Sequence, residues 1–173
     1  MGRSYEAVIR VNSQSGKGGV AYLLRTHHGI DLPARMRPDF ARVVQEATDD
    51  SGREATPKEL YELFRATYLA DGAAVRLHDW SVHELAPGVH RFVCTLEAGD
   101  RVGDHEGTGA GSLTAFVDAL AGAGVAVEVL DHTEDGAAAF AECRVDGVTA
   151  WGAGTGPSAA VHAVLSAVNR ALR

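Results

Sequence analysis

The chain of 173 residues has few aromatic residues, few basic residues and no long apolar run, and each shortage excludes a kind of core or partner. Aromatic residues make up only 6%, so the core must consist mainly of alanine, valine and leucine in a sequence that is 46% hydrophobic. Basic residues are in deficit: the formal net charge of -7 argues against nucleic acid or an anionic membrane as the main partner. Long apolar runs are also missing, because none approaches the roughly 20 residues of a membrane-spanning helix.

Cysteine is scarce as well. Cys94 and Cys143 are the two present, they lie far apart, and neither belongs to a CxxC pair. Two buried thiols in a reducing cytoplasm are therefore expected rather than a disulfide. The N-terminus, MGRSYEAVIRV, has no apolar signal core, which also favours a cytoplasmic location.

The stretch NSQSGKGG places a Gly-Lys pair, Gly16-Lys17, in a glycine-rich setting, as nucleotide-binding P-loops do. A P-loop also needs a glycine five positions before Gly16 and a Ser or Thr after the lysine. Those positions hold Val11 and Gly18. The stretch is therefore interpreted as a tight loop between two strands, Ala7–Val11 and Val20–Leu24.

Two helices are predicted to follow. Helical spacing of Phe40, Val43 and Val44 predicts a first helix that starts near Pro38. Thr56-Pro57-Lys58-Glu59 predicts a sharp start for the second, because it combines a Thr N-cap, a Pro at the first helical position and a Glu at the capping-box position.

An internal repeat is the most informative feature of the rest of the chain. The run Gly107-Thr108-Gly109-Ala110-Gly111-Ser112 recurs about 45 residues later (152 − 107) as Gly152-Ala153-Gly154-Thr155-Gly156-Pro157. Each run follows a predicted hairpin and precedes a predicted alanine-rich helix. The first predicted repeat has a strand at Val75–Val82, a hairpin of Val89–Ala98 with Val102–Gly107, and a helix at Ser112–Ala121. The second has a strand at Val125–Leu130, a hairpin of Ala138–Val145 with Val148–Gly152, and a helix at Pro157–Leu172.

The sequence thus predicts an α+β fold in two parts. Residues 1–70 are expected to form a small subdomain of two strands and two helices. Residues 74–173 are expected to form two βββα units related by a pseudo-twofold axis. Such units bury one sheet face each under their helices.

The glycine runs allow two interpretations. Glycines where a strand enters a helix let a ligand approach the backbone, and the helix N-terminus then favours a carboxylate or phosphate. Alternatively, they only permit tight packing of the strand against the helix. A dinucleotide site would need a parallel βαβ unit, whereas the hairpins predict antiparallel strands, so a small-ligand site is favoured over a nucleotide site.

Candidates for catalysis and metal binding are sparse. The eight histidines form no HxH or HExxH motif, and His78 and His83 offer only an isolated pair. Cys94 and Cys143 lie in apolar strands and are expected in the core. No metal ion and no cofactor are predicted.

Several motifs resemble one known family. NSQSGKGGVAYLL, GIDLPARMRPDFARVVQ and TPKELYELF resemble the region that follows the catalytic barrel of α-isopropylmalate synthase. GTGAGSLTAFVDAL, VEVLDHTE and WGAGTGPSAAVHAVLSAVNRAL resemble that family's C-terminal allosteric domain. The resemblance covers essentially the whole chain. It implies a linker subdomain in residues 1–70 and, in residues 74–173, a regulatory domain that dimerises and binds leucine near the glycine runs.

The family's catalysis takes place in a (β/α)₈ barrel with a divalent metal, and such a barrel needs roughly 250 residues. This sequence contains no such barrel. The resemblance therefore implies no synthase activity by this chain alone, with a separate barrel-containing synthase as a candidate partner.

The resemblance also implies a set of ligand-binding positions. Gly109, Gly111 and Leu113 match the family's G-N-G-P-L-A run, whereas Ala110 replaces its Asn and His132-Thr133 replaces its tyrosine pair after V-L-D. Losing hydrogen-bonding partners changes ligand discrimination steeply. The expected ligand is thus leucine or another small amino acid or related carboxylate. The full implied set is Gly109, Ala110, Gly111, Leu113, Thr114, His132, Thr133, Gly154, Thr155, Gly156 and Pro157.

Three functions compete at this point. The favoured one is a homodimeric, freestanding regulatory domain without catalytic residues. The second is a repurposed enzyme, for which His132, Thr133 and His162 are the first groups to suspect, because histidine is the usual acid or base near neutral pH. The third is a dimerisation subunit of a split synthase that binds no ligand. A fragment cut from a longer synthase would have the same sequence.

Overall fold

The computed structural model describes residues 17–173, and the chain divides into two compact units between Thr67 and Tyr68. The described part of the first unit is helical. None of the helices within residues 17–173 is long and apolar enough to cross a membrane. The helices of the first unit are α1 (Lys17–His28), α2 (Arg37–Ser51) and α3 (Pro57–Phe64), and α3 continues into a π-helical turn at Arg65–Leu69.

The predicted strand Val20–Leu24 is wrong, because this segment lies inside α1. Val20, Leu23 and Leu24 are buried while Tyr22 is exposed, which is the three-and-four spacing of a helix face. A run of five apolar residues is too short to reveal its period by itself. The other predicted strand, Ala7–Val11, lies outside the described residues.

Aromatic contacts join the three helices. Phe40 of α2 meets Phe64 of α3 edge to face, with ring centroids 5.8 Å apart. His28 at the end of α1 stacks on Tyr61 of α3 at 4.4 Å, and its Nε2 lies 3.0 Å from the carbonyl oxygen of Pro57. The two helices predicted for this unit are confirmed as α2 and α3.

The predicted capping box at the start of α3 is also confirmed. The Glu59 N–H donates to Thr56 Oγ1 at 3.2 Å, and the Thr56 N–H donates to the Glu59 carboxylate at 2.8 Å. Arg53 donates to the same carboxylate at 2.6 Å. The hydrogen bond from Arg53, followed by that from Thr56, lowers the pKa of Glu59 from 4.5 to about 2.

The second unit confirms the predicted pair of βββα units. Each repeat is an antiparallel three-stranded sheet, ordered β1-β2-β3 or β4-β5-β6, followed by one helix. The first repeat consists of β1 (Val75–Ala86), β2 (Val89–Ala98), β3 (Arg101–Gly109) and α4 (Ser112–Gly122). The second consists of β4 (Val127–Asp135), β5 (Ala138–Val145), β6 (Val148–Thr155) and α5 (Ala159–Ala171).

A β-bulge recurs in the first strand of each repeat. It falls between Leu77 and Trp80 in β1 and between Val129 and Asp131 in β4. One extra residue shifts the alternation of side chains, so Leu77 and Trp80 both pack against the core although they are three positions apart. The same shift puts Val129 and His132 on one face of β4.

The glycines of the repeated runs lie against the helix backbone. A Cβ atom at Gly109 would lie 2.7 Å from the backbone nitrogen of Ala115, and one at Gly154 would lie 2.1 Å from the carbonyl oxygen of Ala159. Gly107 and Gly152 would bring a Cβ atom to within 2.2 and 2.3 Å of a helix carbonyl oxygen. In these four positions the glycines therefore serve tight packing of strand and helix, the second of the two interpretations.

The repeats differ at the junction between the third strand and the helix. The backbone of Gly107 meets Ala115 and Ala119, whereas that of Gly152 meets Ala163 and Ala167. The glycines are offset by 45 positions (152 − 107) but the alanines by 48 (163 − 115). The second junction therefore contains three additional residues, and α5 begins at Ala159 rather than at the predicted Pro157.

One core joins the two repeats. Phe92 of β2 stacks on Trp80 at 5.3 Å and contacts Phe116 of α4 at 4.8 Å. These rings belong to the same apolar cluster as Ala141 of β5 and Val164 of α5. In addition, α4 contacts β4 and α5 contacts β1, so each helix covers part of the other repeat.

Replacing Gly152 tests the backbone packing. Gly152→Ala should lower the free energy of unfolding by about 2 kcal/mol or more, because the new methyl group must displace α5. Gly122→Ala is the matched control: no atom would crowd its Cβ, and alanine in place of glycine stabilises a helix by up to about 1 kcal/mol. Denaturant midpoints measure both. An unchanged midpoint for Gly152→Ala would contradict the packing argument.

A second test concerns Glu59. Its folded-state pKa is below the ordinary value, so the carboxylate stabilises the fold above pH 4.5, and this contribution is lost as the pH falls toward 2. Arg53→Ala should raise the pKa of Glu59 toward 4.5 in an NMR titration of its side chain. Lys58→Ala, which removes only the distant partner of Glu62, should not. Titration of Glu59 near pH 4.5 in the unaltered protein would refute the assignment.

Candidate ligand-binding site

A cavity of about 840 Å³ lies where the two helices of the second unit begin, and it is called here the helix-start cavity. Both repeats contribute to it. Its lining comprises Trp80 and Val82 of β1, Ser112 at the start of α4, Glu134 and residues 136–138 of the β4–β5 hairpin, and residues 156–161 at the start of α5.

One wall of the helix-start cavity is apolar. Trp80 and Val82 project from the same face of β1, and Val161 of α5 adds a further aliphatic group. Phe92 supports the Trp80 ring from behind, with the two ring planes 7° from parallel. This wall can bury the hydrocarbon part of a ligand.

Two helix starts without side-chain caps border the cavity. The N-cap of α4 is Gly111, which has no side chain, and the N-cap of α5 is Ser158, whose side chain makes no capping hydrogen bond. First-turn N–H groups of both helices thus have no side-chain acceptor, and the two helix dipoles favour a negative group such as a carboxylate.

Glu134 gives the same cavity a single carboxylate. It lies on the face of β4 that also carries His132, whose Nε2 is 3.5 Å from Glu134 Oε1. Within residues 17–173 this buried Nε2 atom has no hydrogen-bond partner. A carboxylate beside an apolar wall can pair with an ammonium group.

A second cavity, of about 240 Å³, lies beside α5 and is called here the Asn169 cavity. Asn169 accepts a hydrogen bond from the Val75 N–H and donates one to the Val75 carbonyl, both at 2.8 Å. Its amide thus closes the free edge of β1 at the first residue of that strand. Gly72 packs so closely on Asn169 that a Cβ atom would collide with it. These bonds satisfy the buried amide, so it has a structural role here.

The structure divides the predicted ligand-binding residues between several places. Gly156 and Pro157 line the helix-start cavity. Gly154 and Thr155 line the Asn169 cavity, which is also lined by His162, a residue suspected only for a repurposed enzyme. The remaining predicted residues line neither cavity: Gly109, Ala110, Gly111, Leu113, Thr114, His132 and Thr133.

His132 and Thr133 also point in opposite directions. His132 pairs with Ala141 on the core side of β5, whereas Thr133 pairs with Phe140 on the other side of the sheet. Consecutive residues of a strand alternate between faces. These two neighbours therefore do not act at one place in this fold.

The sequence analysis missed eleven of the thirteen residues that line the helix-start cavity, and among them Trp80, Val82, Ser112 and Glu134 carry the site's chemistry. Trp80 and Val82 alternate on a strand that was recognised, but nothing in the sequence indicates that this strand crosses to the helix start of the other repeat. The two-residue spacing from His132 to Glu134 was the available signal for Glu134.

The two thiols are unsuited to nucleophilic chemistry. Burial raises the pKa of Cys94 to about 11 and that of Cys143 to about 12, with smaller contributions from Asp104 and Glu142 respectively. Both are free and belong to the core. Within the described part of the chain, no cluster of three metal-ligating side chains is found.

Known proteins resemble this chain over its whole length. The 2-isopropylmalate synthase of Mycobacterium leprae is 42% identical over 185 residues, which is 99% of this chain but 30% of that protein. The 2-isopropylmalate synthases of Kineococcus radiotolerans and Cupriavidus taiwanensis are each 43% identical, and the match covers all of this chain but 33% and 32% of theirs. The chain thus spans about a third of the length of the curated relatives it matches.

Two family descriptions match parts of the chain. Residues 1–25 match the family described as alpha-isopropylmalate synthase, post-catalytic domain-like. Residues 54–172 match the LeuA allosteric (dimerisation) domain, and this segment contains both βββα repeats and all of the helix-start cavity. The chain belongs to the family of LeuA allosteric (dimerisation) domains and corresponds to the regulatory part of a 2-isopropylmalate synthase.

Proposed function

We propose that the chain is an amino-acid-sensing regulatory domain whose ligand occupies the helix-start cavity, with leucine as the first candidate. One observation carries this proposal. Two helix starts without side-chain caps, one carboxylate and an apolar wall surround the same cavity. Carboxylate, ammonium and hydrocarbon are the three parts of an aliphatic amino acid, and each has a complementary partner here.

The domain assignment belongs to the same proposal. Residues 1–70 are assigned to a linker-like subdomain and residues 74–173 to the regulatory domain. The division of the chain between Thr67 and Tyr68 supports this assignment. The chain is proposed to act on a barrel-containing synthase as a homodimer in the cytoplasm, where its two free thiols would stay reduced.

Binding is favoured over a repurposed catalytic site. His132, Thr133 and His162 do not converge: Thr133 faces the far side of its sheet, and His162 lines the Asn169 cavity. A general acid or base must lie within hydrogen-bond reach of the group that it serves. Among the described residues that line the helix-start cavity, Glu134 is the one titratable group, and His132 lies beside it without lining the cavity.

A pair of matched ligands tests the proposal. Leucine at about 100 times its Kd should raise the free energy of unfolding by about 2.7 kcal/mol. Its 2-oxo acid, which has the same carboxylate and side chain but no ammonium group, should bind at least tenfold more weakly, because Glu134 then lacks a partner. Isothermal titration calorimetry measures both affinities.

Variants separate the contributions. Glu134→Gln should weaken leucine binding about 10-fold to 100-fold and leave binding of the 2-oxo acid nearly unchanged. Trp80→Ala should weaken both ligands. Glu128→Gln, also on β4 but paired with Arg144, should alter neither. Equal affinity for the two ligands, or full leucine affinity in Glu134→Gln, would overturn the proposed binding mode.

A further inference from the structure

His132 occupies a position of the repeat that does not itself call for a histidine. Val82 of β1 lies across β2 from Gly107. In the second repeat, His132 of β4 lies across β5 from Gly152. These two glycines receive the helix backbone in their repeats, so Val82 and His132 are equivalent. Because valine fills the position in the first repeat, the fold alone does not explain the imidazole in the second.

The ring of His132 has a buried nitrogen and approaches a single carboxylate. Its Nε2 atom is buried and makes no hydrogen bond among residues 17–173. Glu134 Oε1 lies 3.5 Å from this nitrogen, within the range of an ion pair. The Glu134 side chain is 63% exposed, whereas that of His132 is 28% exposed. The carboxylate is therefore the freer member of the pair, and it lines the helix-start cavity.

The elements around β4 carry further charged groups. β5, α4 and α5 pack against this strand. Besides His132 and Glu134, the charged or titratable residues of these four elements are Asp118, Glu128, Asp131, Asp135, Glu142, Cys143, Arg144, His162 and Arg170. Four of them have partners other than His132: Arg144 donates to Glu128, the Thr108 N–H donates to Asp118, and Arg170 donates to the Trp151 carbonyl.

The remaining acidic groups lie on the opposite face of the sheet. Asp131 and Asp135 alternate with His132 and Glu134 along β4. Glu142 of β5 lies directly across from Asp131 and therefore shares its face. None of these three carboxylates is on the face of β4 that carries His132.

His162 and Cys143 complete the set. His162 lines the Asn169 cavity. Cys143 belongs to the core, and burial raises the pKa of its thiol to about 12, so this thiol carries no charge near neutral pH. Glu134 is therefore the charged group that faces His132 among the described residues.

The charge on His132 decides what Glu134 can pair with. Histidine is the side chain whose charge ordinarily changes between pH 5 and 8. A neutral imidazole leaves the carboxylate of Glu134 available to an ammonium group in the cavity. An imidazolium at 3.5 Å attracts the same carboxylate and repels a neighbouring cation. The two cations therefore compete for one anion.

We propose that His132 is a positioning residue for Glu134 and that its protonation draws this carboxylate away from the ammonium group of an amino-acid ligand. Binding of the amino acid then weakens as the pH falls, whereas a ligand without an ammonium group is spared. The ammonium group binds best when His132 is neutral, so binding at intermediate pH displaces a proton. This inference rests on the proposed function, because it describes the pH response of the same cavity.

Calorimetric titration of leucine and its 2-oxo acid into the 173-residue chain at different pH values tests this proposal. From about pH 7.5 to about pH 5.5 the Kd of leucine should rise about fivefold, the scale of an exposed ion pair. The Kd of the 2-oxo acid should not rise, which also shows that the cavity is intact at the lower pH. At about pH 6.5, in buffers of different ionisation enthalpy, leucine binding should release protons and binding of the 2-oxo acid should release none.

Variants of His132 identify the group responsible. His132→Val introduces the residue of the equivalent position in the first repeat, and its Kd values for leucine at the two pH values should agree within about twofold. His132→Gln should give the same ratio, and far-UV circular dichroism at both pH values checks that each variant is folded. His90→Gln is the matched control, because His90 of β2 also has a buried ring nitrogen without a hydrogen bond among the described residues but belongs to the other repeat. It should keep the full pH dependence.

The outcomes separate this inference from the proposed function. Leucine binding that depends on Glu134 but is equally tight at both pH values would overturn the inference alone. A pH dependence that persists in both His132 variants, or that is lost equally in His90→Gln, would do the same. Absence of leucine binding at about pH 7.5 would overturn the proposed function and the inference with it.

Discussion

The whole regulatory unit depends on one kind of contact, in which a helix lies directly on the backbone of a strand. Gly107 and Gly109 bring α4 onto β3, and Gly152 and Gly154 bring α5 onto β6. The alanines that face them keep the approach close. With the helices held at this distance, phenylalanine and small aliphatic side chains are enough to fill the remaining core, which explains how a chain with 6% aromatic residues forms one.

The same contact fixes where the two repeats can differ. In both repeats the glycines of the third strand face alanines of the helix, so no residue can be inserted within either element without breaking this match. The three additional residues of the second repeat therefore lie at the junction before α5. This junction, residues 156–158, contributes to the wall of the helix-start cavity. The pseudo-twofold axis is therefore preserved in the sheets and helices and broken at the place where a ligand would bind.

The fold was largely predictable from the sequence, and the site was not. Alternation, hairpin signals and the glycine repeat are local patterns, and β2 and β5 follow the predicted bounds residue for residue. Val20–Leu24 failed because five apolar residues do not distinguish a strand from a helix. Trp80 and Glu134 line the same cavity only because one repeat packs against the other, and no spacing along the chain records that. Similarly, His132 and Thr133 are adjacent in sequence but lie on opposite faces of β4.

The glycine contacts also have a mechanical consequence. Packed elements usually shift by small movements within the layer of side chains between them. No such layer separates α4 from β3 or α5 from β6 at the glycines, so neither helix can slide on its own strand without a collision of backbone atoms. Contacts between the two repeats, in contrast, are made by side chains. Any rearrangement of the domain is therefore expected at the side-chain contacts between the two βββα units and not inside either unit.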